Sequence, residues 1–237
     1  MLPLDALLAF LGGVCPALVW LFFWRMEDRC QPEPKRFIFY AFAAGMVAIA
    51  PTLELQSLAQ MYLAPYSLGL LAVWALIEET MIFGAAYFAA LSYYVYDEPL
   101  DAVIYMVTAA LGFAALENAL FLWPQVVDGN LLRTVALGES RFLGATLVHT
   151  LSSATVGISL ALSFSKPADV RKLYALCGII LATALHTAYN YFIVNVPQST
   201  GSTQGVQETF LIFVCIWFGI IATLLIVERL KTPQDYC

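Results

Sequence analysis

Apolar runs of about 20 residues recur along the whole of this chain, and ionisable side chains stand inside several of them. A run of that length crosses a hydrocarbon core of roughly 30 Å as a helix, which satisfies its own backbone hydrogen bonds where no water can. The pattern predicts an all-α fold, a polytopic transmembrane helical bundle with seven spans: Leu2–Trp24, Phe37–Gln56, Leu68–Val95, Ala102–Trp123, Phe142–Phe164, Leu173–Val194 and Thr209–Val227. An eighth helix arises if the second run splits or re-enters near Pro51. Only 12% of the residues are charged, against about 25% in soluble domains, and the linkers are too short for a separate soluble unit. Residues 1–237 are therefore expected to form one integral membrane domain.

Lysine and arginine near span ends set orientation, because positively charged loops stay on the cytoplasmic side. Arg25, Arg29, Lys35, Arg36, Lys166, Arg171, Lys172, Arg229 and Lys231 fall on one side of the seven-span arrangement, with only Arg133 and Arg141 opposite. The N-terminus is expected outside and the C-terminus in the cytoplasm, with the first run a retained span. The net charge of -6 comes mostly from acids in short loops or spans, so it points to no basic partner, and no nucleic acid is expected. Cys15, Cys30, Cys177, Cys215 and Cys237 have neither metal-finger spacing nor the density of a disulfide scaffold.

Ionisable groups inside a span cost several kcal/mol, so each requires a cause. The third run carries Glu78 and Glu79, the fourth Glu117 beside Asn118, the fifth His149, and the sixth His186 with Asn190 one turn later. Counted at about 1.5 Å per residue, Glu117, His149 and His186 lie roughly 10–12 Å below the outer boundary, with the paired glutamates a few ångströms deeper. Four antiparallel helices thus place acids and imidazoles in one slab. Such a set activates water by general acid–base chemistry or binds a divalent metal. Two adjacent buried glutamates resist ionising together, which leaves a base beside a proton donor. Asn190 shares a helix face with His186, and Ser153 with His149; an amide there fixes a ring tautomer or holds an oxyanion.

Structural roles compete with these. Glu78 and Glu79 point about 100° apart, so a purely structural lock would need two partner surfaces. A single histidine, or Asn118, serves equally as an interhelical hydrogen bonder. Glu54, Asp101, Glu139 and Arg141 stand near span ends, where charges reach water. Gly112, Gly144, Gly157 and Gly178 are expected to allow close helix approach.

At the polar positions the sequence resembles the PrsW family of intramembrane proteases, within the wider CAAX-protease-like superfamily. Glu78-Glu79 is similar to the family's paired-glutamate motif, and Phe113 to Glu117-Asn118 resembles F-x-x-x-E-N. His149 to Ser153 with Gly157 resembles the third motif, and His186 to Asn190 the fourth, H-x-x-x-N. The resemblance covers roughly Pro16 to Asn195 and implies endopeptidase cleavage of a membrane-anchored protein substrate within or beside the bilayer. It implies Glu79 as the water-activating base with Glu78 sharing its proton, and His149 and His186 polarising the carbonyl or holding metal. Glu117 would orient a histidine and Asn190 support the oxyanion. A zinc set of His149, His186 and Glu79 is one form of this site, though without H-E-x-x-H spacing, and a metal-free glutamate mechanism is the other. Ile82 departs from the family's E-E-x-x-K, which keeps an inactive scaffold or chaperone-like subunit among the readings. A proton-coupled carrier using the same glutamates is a third.

Overall fold

A computed structural model describes residues 4–27, 31–129, 134–135, 138, 144–195 and 203–231, with side chains undescribed at 27, 195 and 203–209. Among these, every extended element is helical. The helices are α1 (Leu4–Glu27), α2 (Lys35–Gln60), α3 (Leu68–Ala86), α4 (Pro99–Val127), α5 (Ala145–Leu162), α6 (Ala168–Asn195) and α7 (Thr203–Leu230). A π-helical turn, Tyr87–Leu91, extends α3. Seven of these segments are long and apolar enough to cross a membrane, as the run lengths predict. α2 continues through Pro51, so that run forms one span; the Thr52 hydroxyl donates to the Ala48 carbonyl one turn back on the same helix.

α4 is the axis of the bundle. Its apolar window is 89% buried against 17% for α1, and it packs against α1, α2, α3 and α5. Close approach at its centre depends on small residues. A Cβ on Gly112 would collide with the Phe42 carbonyl, and one on Gly45 with the Ala109 carbonyl, so α2 and α4 meet backbone to backbone. α4 starts early because Pro99 occupies its first turn and Asp101 Oδ2 accepts from the amides of Asp97 at 2.9 Å and Glu98 at 2.8 Å.

Asp101 differs from expectation in one respect: it caps a helix, but it is fully buried rather than in reach of water. Glu33, also buried, accepts from the Tyr105 hydroxyl close by, so this end of α4 is tied down by polar groups inside the protein. Glu54 is exposed, as its place near a span end suggests. Arg29, Cys30, Arg133, Glu139, Arg141 and Cys237 lie outside the described residues.

Candidate active site

α3 enters the bundle with Ser67 at its N-cap, the hydroxyl accepting from the Leu70 amide at 3.2 Å, and carries Glu78 and Glu79 into the interior three turns later. Their divergence on the helix sends them to different neighbours. Glu78 Oε1 accepts from Gln56 Nε2 of α2 at 2.6 Å, while Glu79 Oε1 accepts from Ser152 Oγ of α5 at 2.7 Å. The two partner surfaces that a structural lock demands are thus present. Both carboxylates also converge on one ring of α6: His186 Nδ1 stands 2.8 Å from Glu79 Oε1, and His186 Nε2 3.4 Å from Glu78 Oε2.

His149 of α5 completes the group. Its ring lies edge-on to His186 at 4.8 Å between centroids and rests against Phe113 at 5.3 Å. His149 Nε2 is 3.3 Å from Glu117 Oε2, with Glu117 the most open member of the cluster. Residual exposure is 0% for Glu79, 1% for His149, 4% for His186 and 6% for Glu78, so a substrate meets groups already stripped of water.

This arrangement is short of positive charge or protons. An imidazole donating through Nδ1 to Glu79 turns the Nε2 lone pair toward another carboxylate oxygen, Glu78 Oε2, and two acceptors repel unless a proton or cation stands between them. If His149 donates through Nε2 to Glu117, its buried Nδ1 keeps a lone pair with no hydrogen-bond partner, as do Glu78 Oε2 and Glu79 Oε2. Glu78, His149 and His186 each offer one ligand atom, and these atoms lie within 4.8 Å of one another. Tetrahedral zinc with bonds near 2.0–2.1 Å needs ligand atoms about 3.3 Å apart, so side-chain rotations of about an ångström close the gap. The donor chemistry therefore fits a divalent metal. The converging carboxylate is Glu78, with Glu79 behind His186 in the place of an orienting outer carboxylate.

Asn118 hydrogen-bonds Thr146 Oγ1 through its amide at 2.9 Å, joining α4 to α5 beside the site. Asn190 is half-buried one turn beyond His186, and no hydrogen bond joins it to the cluster among the described residues. Ser153 Oγ is buried without a partner, and the serine that reaches a glutamate is its neighbour Ser152. Ser152 and Gln56 escape a reading of the sequence because serine in a span ordinarily bonds its own helix and Gln56 stands near a span end. Ile82 is fully buried among apolar neighbours, one turn from Glu78.

A family model described as PrsW family intramembrane metalloprotease matches residues 33–224. The chain belongs to the PrsW family. Membership makes it a membrane-embedded protease by kind, and the match spans all the helices that carry the polar cluster. Among similar proteins, Protease PrsW of Geobacillus kaustophilus is 25% identical over 188 residues, covering 77% of this chain and 78% of that protein. Protease PrsW of Bacillus subtilis is 20% identical over 217 residues (88% and 91%), and that of Shouchella clausii 22% over 228 residues (95% and 97%). No solved structure matches this PrsW family member.

Proposed function

We propose that this PrsW family member hydrolyses a peptide bond in a membrane-anchored protein, using the cluster of Glu78, Glu79, Glu117, His149 and His186. The observation that carries the proposal is His186 held between two glutamates of one helix and packed on a second histidine. In this reading Glu78, His149 and His186 hold a divalent metal such as zinc. Bound there, the ion supplies Lewis-acid polarisation of the scissile carbonyl.

The chain's own groups do the rest. Glu79 fixes the His186 ring through Oε1 and offers Oε2, which has no hydrogen-bond partner, to take a proton from the attacking water. Ser152 holds the same carboxylate by donating to Oε1. Glu117 sets the His149 ring through Nε2, and the proton that Glu79 takes from water passes to the leaving amine. Asn190 faces the developing oxyanion after a rotation about its side chain.

A metal-free mechanism is favoured by one contact, the 2.8 Å pairing of Glu79 Oε1 with His186 Nδ1. Then Glu79 and His186 alone activate water. Purified protein reconstituted with single-span candidate substrates distinguishes these. Glu79→Gln and His186→Ala are expected to lower turnover by about 10²-fold or more. Turnover untouched by both changes refutes the proteolytic assignment. Stoichiometric metal with chelator-sensitive turnover supports the metal form; chelator-insensitive turnover without metal supports the glutamate form.

A further inference from the structure

Beside the buried cluster, α5, α6 and α7 leave an open cavity of about 630 Å³ whose walls are almost entirely hydrocarbon. Val148 and Leu151 of α5, Ala188 and Tyr189 of α6, and Ile212 and Cys215 of α7 line it. Among the described residues, α6 and α7 scarcely touch, although α7 packs on α5, which leaves this space open. Position ties this cavity to the site. Val148 precedes His149, Leu185 in the wall precedes His186, and Tyr189 lies one turn beyond, so cavity and cluster stand at the same depth on two faces of the α5–α6 seam.

We propose that this groove docks an apolar helical turn of the substrate's own transmembrane segment, holding the neighbouring peptide beside the Glu–His cluster. The inference rests on the proteolytic reading and names the part of the substrate that is recognised. One turn of helix, about 5.4 Å long and 10–12 Å across, fills roughly 500 Å³, which the cavity matches. The reacting groups are almost closed to solvent, and the wall next to them is apolar at membrane depth. A substrate anchored in the same bilayer brings apolar side chains to that wall and keeps its reacting bond at the level of the histidines.

The test reads docking without cleavage. Full-length protein in phosphatidylcholine nanodiscs is irradiated with a lysine-flanked Leu/Ala peptide of about 20 residues, long enough to span, carrying a diazirine leucine at its centre. Adducts are expected on Val148, Leu151, Ile212 and Cys215, and Ala188→Trp, which fills the groove, is expected to reduce them about tenfold. Leu162→Trp, on the lipid-exposed far end of α5, should leave them unchanged, and a folded Ala188→Phe variant guards against simple unfolding of the tryptophan protein. Adducts scattered over the outer faces of α1 and α2, or indifferent to both Ala188 variants, overturn the proposal. So do groove adducts from photoreactive phosphatidylcholine that the peptide fails to displace, since the occupant is then an acyl chain. Groove docking in a protein that cleaves nothing removes the proteolytic reading alone; cleavage with no groove docking removes this one alone.

Discussion

Ser152 shows how much a single hydroxyl can matter in a dry site. It has one proton to give, and Glu79 Oε1 at 2.7 Å competes for it with the Val148 carbonyl at 2.9 Å on its own helix. Ser152→Ala leaves the helix bond dispensable and the glutamate one donor short, so turnover is expected to fall about 5–30-fold, equivalent to 1–2 kcal/mol, with little change in thermal unfolding. An unchanged rate in reconstituted vesicles would show that His186 alone suffices to hold Glu79. Ile82 offers a second test. It stands four residues after Glu78, the spacing at which a lysine reaches a glutamate on one helix face, yet here it is sealed in the core. Ile82→Lys is expected to cost at least about 1 kcal/mol more stability in a Glu78→Gln background than in the wild type, measured as a double-mutant cycle by thermal unfolding. Equal costs would mean the ammonium never meets Glu78. Glu78, Glu79, Glu117, His149 and His186 could be singled out in the sequence because ionisable groups in apolar runs are expensive. Ser152 and Gln56 could not, because a hydroxyl or amide in a span has cheap local alternatives.

At the scale of elements, α4 carries most of the packing and Glu117, while α3, α5 and α6 carry the rest of the polar cluster. The contact between α2 and α4 has no room for a side chain at Gly112, whereas a Cβ on Gly84 of α3 meets nothing within 4 Å. Gly112→Leu is therefore expected to abolish accumulation of folded protein, and Gly84→Ala to be neutral or slightly stabilising, as judged by size-exclusion profile and protease resistance in detergent. A well-folded Gly112→Leu protein would contradict the backbone-to-backbone contact. The runs correspond one to one with the helices, but their ends differ: the third run overshoots the π turn that closes at Leu91, and the sixth and seventh begin after Ala168 and Thr203. They undershot where polar residues begin or extend a helix: α2 starts at Lys35 and α4 at Pro99, inside its capping box. Hydropathy marks apolar residues and is blind to caps.

For the molecule as a whole, the basic residues at the ends of α1, α5 and α7 and the starts of α2 and α6 gather at one end of the bundle. There Arg36 donates to the Tyr94 hydroxyl and Arg171 lies over the Tyr96 ring at 5.7 Å. By the positive-inside tendency this end is expected to be cytoplasmic, so a reporter active only outside the membrane is expected to work at the N-terminus and fail at the C-terminus. The reverse pattern would invert the placement of the site, which lies toward the opposite end. What the sequence alone determined is the helical class and the seven helices long and apolar enough to cross a membrane, because a bilayer makes length and hydrophobicity decisive along one axis. Only the tertiary structure decided what lies sideways: that α4 is enclosed while α1 faces outward, that Glu78 and Glu79 part company to grip one histidine, and that a groove stands open beside it. Lipid and protein interior are equally apolar, so a sequence written for one reads the same as a sequence written for the other until the helices are packed.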